Sequence, residues 1–307
     1  MARFARNIRV PGQGGTLLYT RRVREFTDKV AVVTGAASGI GKAMAQRFAI
    51  EGMRLVLADV ESVPLAEFAN QLRAAGMTVV SEQVDVSKPE DLERLAARAY
   101  GEFGAVHLLC NNAGVLPPGA PVWKEPLQTW RWALDVNFFG VLHGVQAFVP
   151  QMLKAKHEAH IVNTASLAGL TTRPLMSAYN VSKHAVVALS ECLYAELRLT
   201  TDKVHVSVLC PAFSKTRLAE SARNRPEGVT ADAGASFGFH DAIRRVVEEG
   251  TPPEKIVDIT MKAVRENHFW ILTHPQFDGS VRERFESMLS RANPTVRDLR
   301  TESIPLD

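Results

Sequence analysis

The chain has 307 residues, 46% hydrophobic and 22% charged, enough for one large α/β core and too balanced for a disordered or fibrous protein. Its net charge of +3 is spread over interspersed signs beyond the N-terminus, which leaves no basic face for nucleic acid. The cysteines Cys110, Cys192 and Cys210 are odd in number and lack CxxC spacing, which argues against disulfides and zinc and for a reducing, cytoplasmic setting. No apolar run reaches the roughly 18 residues of a membrane helix, and Met1 is not followed by a hydrophobic signal core.

Residues 1–28 form a basic extension with Arg3, Arg6, Arg9, Arg21, Arg22 and Arg24 and no acid before Glu25. Pro11, Gly12, Gly14 and Gly15 break any long amphipathic helix there, so the segment reads as a surface extension rather than a targeting peptide. From Lys29 onward, apolar runs at 30–34, 54–58, 78–84, 107–111, 160–164 and 205–209 predict strands. Helical patterns fall between them at 39–51, 65–75, 89–103, 127–154 and 178–199, with Ser87 the expected N-cap of the third. Alternating strands and helices predict one α/β domain, a parallel sheet with helices on both faces, over residues 29–275. Residues 213–253 are rich in Arg, Gly, Ala and Pro and read as a substrate loop or lid, because they follow the carboxyl end of a strand. A last strand is expected at 269–273. The 276–307 tail is expected to carry an amphipathic helix at 280–291 with Val281, Phe285, Met288 and Leu289 on one side.

Two features carry chemistry. The turn Thr34-Gly-Ala-Ala-Ser-Gly-Ile-Gly41 closes the first strand and opens a helix. Its glycines, Gly35, Gly39 and Gly41, permit a tight turn and close approach to a pyrophosphate, and the N-terminus at Ser38, Gly39 and Ile40 offers free N–H groups. Asp59 ends the second strand, where a carboxylate accepts hydrogen bonds from ribose hydroxyls. It would repel a 2′-phosphate with no Arg or Lys at 60–63 to offset it, which favours NAD over NADP. Further on, Tyr179 and Lys183 stand at i and i+4, on one helix face, so that the ammonium favours the phenolate. A tyrosine so placed exchanges a proton with an alcohol. The histidines show no metal spacing, and no metal is expected.

From Lys29 to Thr216 the chain resembles the short-chain dehydrogenase/reductase family, which implies a single doubly wound, Rossmann-type α/β domain. The likeness rests on the glycine turn, Asp85-Val86, Asn111-Asn-Ala-Gly114, Asn137, Ser166, Tyr179-Asn-Val-Ser-Lys183 and Pro211 through Thr216. The resemblance implies Tyr179 as general acid/base, Ser166 as holder of the substrate oxygen, Lys183 on the nicotinamide ribose and Asn137 positioning a relay water. It also implies Asp85 and Val86 beside the adenine, Asn112, Ala113 and Gly114 along the adenosine side, and Pro211 and Thr216 near the nicotinamide. Members of the family are usually homodimers or homotetramers built on the helices that carry Asn137 and Tyr179. Two departures stand out: Pro211-Ala212 replaces the usual Pro-Gly, and the usual C-terminal ending is replaced by Phe269-Trp-Ile-Leu-Thr-His-Pro275 and a tail. That run, with Glu254-Lys-Ile-Val before it, is similar to a bacterial subgroup that includes enzymes oxidising benzylic alcohols of lignin-type aryl ethers.

The substrate side is expected to be apolar, built from Val115, Leu116, Leu167, Leu175, Met176 and Phe213, with Phe237 and Phe239 supplied by the lid and Arg173 and Arg217 snorkelling outward. The resulting expectation is an NAD-dependent oxidoreductase interconverting a hydrophobic secondary alcohol (aryl, alicyclic or steroid-like) and its ketone. An NADP-dependent carbonyl reductase, a lyase or epimerase holding NAD tightly, and an NAD sensor without turnover are the alternatives. The presence of both Tyr179 and Lys183 speaks against the sensor.

Overall fold

The structure is a computed structural model that describes residues 25–155, 157–227, 229 and 238–300. Most of the basic extension, Phe237 and the end of the tail lie outside these residues.

The core is one parallel sheet of seven strands in the order β3-β2-β1-β4-β5-β6-β7. The strands are β1 (Val30–Thr34), β2 (Arg54–Asp59), β3 (Val79–Gln83), β4 (Leu108–Asn111), β5 (Ala159–Thr164), β6 (Val204–Cys210) and β7 (Trp270–Leu272). Strand β1 shows why the inner strands read as unbroken apolar runs. Ala31 and Val33 pack on one face among Met44, Phe48, Ile256 and Val257, while Val30 and Val32 pack on the other among Leu92, Leu95, Phe148 and Met152.

Helices α1 (Gly39–Ile50), α2 (Ser62–Ala74) and α8 (Pro253–Glu266) cover the first face, and α3 (Pro89–Phe103), α5 (Gly140–Ala155) and α6 (Ser177–Thr200) cover the second. α4 (Leu127–Leu134), α7 (Phe239–Glu248) and α9 (Asp278–Ser290) are the remaining α-helices among the described residues. The strand order reverses direction between β1 and β4, and the carboxyl ends of these strands open the crevice in which such sheets bind ligands.

Four local expectations are corrected. The helix expected over 127–154 is interrupted by a π-helical turn at Asp135–Phe139, where the side chain of buried Asn137 bonds to main chain of a neighbouring loop. Ser87 is not the N-cap of α3. Pro89 occupies the first helical position, so Lys88 takes the cap, while Ser87 Oγ donates to Asp85 Oδ1 (2.7 Å).

The 213–253 stretch, read as loop, contains a 3-10 turn (Arg217–Asn224) and α7, whose Phe239, Ala242, Ile243 and Val246 are buried at helical spacing. Finally, α9 buries none of its residues: Val281 is half-buried against the core, but Phe285, Met288 and Leu289 are exposed. Among the described residues no helix is long and apolar enough to cross a membrane.

Candidate active site

One cavity runs along the carboxyl ends of the strands, from the β1–α1 turn to α6 and α7. At its first end Gly35 and Gly39 have φ of +67° and +54°, the left-handed region that glycine enters without strain. Gly41 is required for a different reason: a Cβ there would lie 2.1 Å from Gly35 O and 2.6 Å from Asn112 Nδ2. Ser38 caps α1 without a side-chain hydrogen bond, so the first-turn N–H groups stay available at the cavity wall.

Asp59 is buried beside this turn and pinned by two main-chain donors, Ala37 N to Oδ2 and Glu61 N to Oδ1, both at 2.9 Å. Burial holds its carboxyl above the usual range, and these two hydrogen bonds act in the opposite direction. These features fit a dinucleotide: a glycine cradle that a Cβ would fill, open helix N–H groups, and a carboxylate on the ribose side.

The turn after β4 is stitched to β1. Asn112 N and Ala113 N donate to Thr34 Oγ1 (3.0 and 3.1 Å), and Asn112 Nδ2 donates to Thr34 O (3.0 Å). Gly114 continues the wall, close to Asn137 Oδ1 and Lys183 Nζ. Asp85 and Val86 line the same cavity, Val86 against Gly140.

At the other end Tyr179, Lys183, Ser166 and Asn137 come together with relative exposures of 6, 3, 8 and 0%. Asn137 exchanges hydrogen bonds with the main chain of Val115 (Val115 N to Oδ1, 2.8 Å; Nδ2 to Val115 O, 3.0 Å) and donates to Ser182 Oγ (3.0 Å). Ser182 Oγ in turn donates to Tyr179 O (2.8 Å). Lys183 Nζ donates to Thr164 O (3.0 Å) and lies 5.8 Å from the centre of the Tyr179 ring. Ser166 Oγ donates to Pro211 O (3.3 Å).

The electrostatics differ from the simple expectation of a lysine-lowered phenol. Burial pushes the Tyr179 phenol up to about 12, opposed by a hydrogen bond with Ser166, and burial pulls the Lys183 ammonium down to about 8. The protein alone therefore keeps the tyrosine protonated at neutral pH.

Of the residues expected to act in catalysis or hold the cofactor, Gly41 and Asn137 stand behind the cavity wall and the others line it, as do most of those expected on the substrate side. Val115, Leu116, Leu167, Met176 and Phe213 do so on the substrate side, while Leu175 and Phe239 pack behind them in a cluster with Tyr179 and Leu299. Leu175 has a φ of +63°, an unusual backbone state for a branched residue just ahead of α6. Of the two arginines expected to point away from the cavity, Arg217 is exposed at its edge as expected and Arg173 is not. Arg173 is half-buried in its wall, and Arg217 lines the rim, where it pairs with Glu61 (3.8 Å) and Glu220 (2.9 Å).

Sequence reasoning missed Glu61, Arg223, Ile243, Val247 and His274. The first four line the cavity. His274 anchors the loop after β6: its Nδ1 accepts from Ala212 N (3.2 Å) and its Nε2 lies 3.2 Å from Phe213 O. The Pro211-Ala212 departure is thus tied down by the equally unusual Thr273-His274-Pro275 segment.

The model of the short chain dehydrogenase family matches residues 29–227. The chain belongs to this family. A short chain dehydrogenase/reductase from Burkholderia phymatum, crystallised in complex with NAD, superposes with a TM-score of 0.86 at 44% identity, covering 89% of this chain and 98% of that one. The 1-deoxy-11-beta-hydroxypentalenate dehydrogenase of Streptomyces exfoliatus is 35% identical over 85% of this chain and 88% of its own length. The C alpha-dehydrogenase of a Sphingobium strain is 30% identical over 90% of each. As a family member the chain is an oxidoreductase that acts on CH–OH groups.

Proposed function

We propose that this protein interconverts a bulky apolar secondary alcohol and its ketone, with NAD as hydride carrier and Tyr179 as general acid/base. The observation that carries this reading is the convergence, in one cavity, of the glycine turn and Asp59 at one end with Ser166, Tyr179 and Lys183 under an apolar wall at the other. The NAD complex of the Burkholderia phymatum relative supports the choice of cofactor.

The residues that would hold the dinucleotide are the 35–41 turn, Asp59, Asp85, Val86, Asn112 through Gly114, Lys183, Pro211 and Thr216. When bound, NAD supplies the hydride acceptor, and its reduced form the donor. The chain's own groups handle the proton. Ser166 Oγ holds the substrate oxygen, and the Tyr179 phenol removes or returns the proton on that oxygen. Burial of Tyr179 excludes water from the exchange and raises the phenol's affinity for the proton, so alcohol oxidation requires a base form that alkaline pH favours. Lys183 places a cation beside the ring, and Asn137, fixed to Val115 and Ser182, holds the β4 loop against α6.

Val115, Leu167, Met176 and Phe213, backed by Ile243 and Val247 of α7, desolvate an apolar substrate. The likeness of residues 254–275 to enzymes of aryl ether breakdown directs the choice toward aryl alcohols. We place the 213–253 segment as the substrate lid. Exposed Leu127, Phe139, Val181 and Tyr194 on the α4 to α6 helices mark where a homodimer or homotetramer would form.

The decisive test is reduced-nicotinamide absorbance with NAD or NADP and a panel of aryl, alicyclic and steroid secondary alcohols at mildly alkaline pH. Reduction of NAD by a bulky member is expected. Measurable NAD binding with no reduction across the panel would overturn the reading in favour of a nucleotide sensor.

A further inference from the structure

The end of β2 carries a second carboxylate that the chemistry above does not use. Glu61 lies two residues beyond Asp59 and lines the same cavity as Asp59, Ser38, Arg217 and Arg223. Arg223, from the 3-10 turn that follows Thr216, grips it with a two-pronged contact: Nε lies 3.1 Å from both Oε1 and Oε2, and Nη2 lies 2.9 Å from Oε2. The third nitrogen, Nη1, donates to Arg217 O (2.9 Å), and the Arg217 guanidinium stands 3.8 Å from Glu61 Oε1. Two arginines therefore do stand at the ribose-binding end of the cavity, brought there by a segment 162 residues away in sequence. Arg223 holds the Glu61 carboxyl below its ordinary range, so this carboxylate stays ionised at neutral pH.

We propose that Glu61 is a second cofactor-specificity residue: by occupying the Arg223 fork it keeps that guanidinium from accepting the 2′-phosphate of NADP, and so reinforces the exclusion set by Asp59. This rests on the reading of the cavity as a dinucleotide site. The physical basis is the match between a guanidinium fork and either a carboxylate or a phosphate, for which the two anions compete. A 2′-phosphate adds up to two negative charges. With Glu61 ionised it meets two carboxylates and a preoccupied arginine; with Glu61 neutral it meets one carboxylate and a free fork.

The test is direct binding, without turnover, of NAD, NADP, 5′-AMP and 2′,5′-ADP to the full-length wild type, Glu61→Gln and Arg223→Gln by titration calorimetry. Glu61→Gln is expected to tighten NADP and 2′,5′-ADP by about tenfold, a gain typical of one charge-assisted hydrogen-bonded pair. Arg223→Gln is expected to weaken the same two ligands. NAD and 5′-AMP should change little in either variant. Because both substitutions break the Glu61–Arg223 contact, a merely structural latch would move all four ligands in the same direction in both variants, and that result would overturn the proposal. Unchanged NADP affinity in Glu61→Gln, with NAD still bound, would overturn it as well. Failure of the wild type to bind NAD at all would instead remove the reading of the cavity on which the proposal stands.

Discussion

Tyr179 shows how burial and neighbours compete within a single side chain. Its phenol is raised to about 12 by burial although Ser166 pulls it down, and the nearby Lys183 is itself lowered to about 8. Substituting Tyr179→Phe removes only the hydroxyl, so kcat should fall by about 10²- to 10⁴-fold, the usual worth of a positioned acid/base. NAD affinity should hold within a small factor, as titration of the variant would show; comparable turnover would remove Tyr179 from the role. The same balance sets the pH response. Oxidation consumes the deprotonated form and reduction the protonated one, so with the phenol at about 12 kcat/KM for alcohol oxidation is expected to rise between pH 7 and 10 while that for ketone reduction stays nearly flat. Parallel profiles in the two directions would contradict this assignment.

At the scale of elements, the substrate side depends on how α7 docks. Gly119, in the loop after β4, faces Phe239 of α7 so closely that a Cβ would lie 2.3 Å from Phe239 Cδ1 and 2.8 Å from Leu175 O. Gly119→Val should therefore push α7 off its seat beside Met176 and Tyr179, raising KM for the alcohol by about 10- to 100-fold through misplaced pocket walls. The glycine turn and Asp59 lie at the other end of the cavity, so calorimetric affinity for NAD should be nearly unaffected. Equal losses in both would show that the loop supports the whole site rather than the pocket. The π-helical turn at Asp135–Phe139 is a comparable device: it lets Asn137 reach the main chain of Val115 from within a helix that continues on both sides.

Across the whole molecule, the end of the sheet opposite the active site carries buried histidines. Val30 N donates to His107 Nδ1 (3.1 Å). Ser207 Oγ donates to His268 O (2.6 Å) and lies 2.7 Å from His160 Nε2. Burial, with His157, Lys29 and Arg54 adding to it, lowers His107 to about 4, and burial beside His205 lowers His160 to about 3.

Both values lie below the ordinary 6.5 of an exposed imidazole, so the unfolded chain takes up protons first as pH falls. The stabilisation is complete above about pH 6.5 and is lost progressively below it. Melting temperature should accordingly drop between pH 7 and 5. His160→Gln should be less stable at pH 7 yet show a shallower acid slope in differential scanning calorimetry. An unchanged slope would mean that other groups govern the acid response.

What the sequence alone determined is what local chemistry dictates. Glycines at 35, 39 and 41, an apolar strand ending in Asp59, and a tyrosine four residues before a lysine carry their meaning within a few positions, and strands buried on both faces announce themselves as apolar runs. The convergence of these motifs at the carboxyl ends of the strands follows from the parallel crossovers that the alternation of strands and helices implies, whereas the strand order, with its reversal between β1 and β4, is compatible with that alternation but not fixed by it. The 3.6-residue stripe of α7, at Phe239, Ala242, Ile243 and Val246, was present in the sequence but overshadowed by its Gly- and Arg-rich surroundings. Other features had no local signal at all. The meeting of Arg223 with Glu61, the anchoring of Ala212 by His274 and the closeness of Gly119 to Phe239 each join segments far apart in the chain. Only the tertiary structure decided them, because hydrogen bonds and steric contacts act over a few ångströms of space, whatever the separation along the chain.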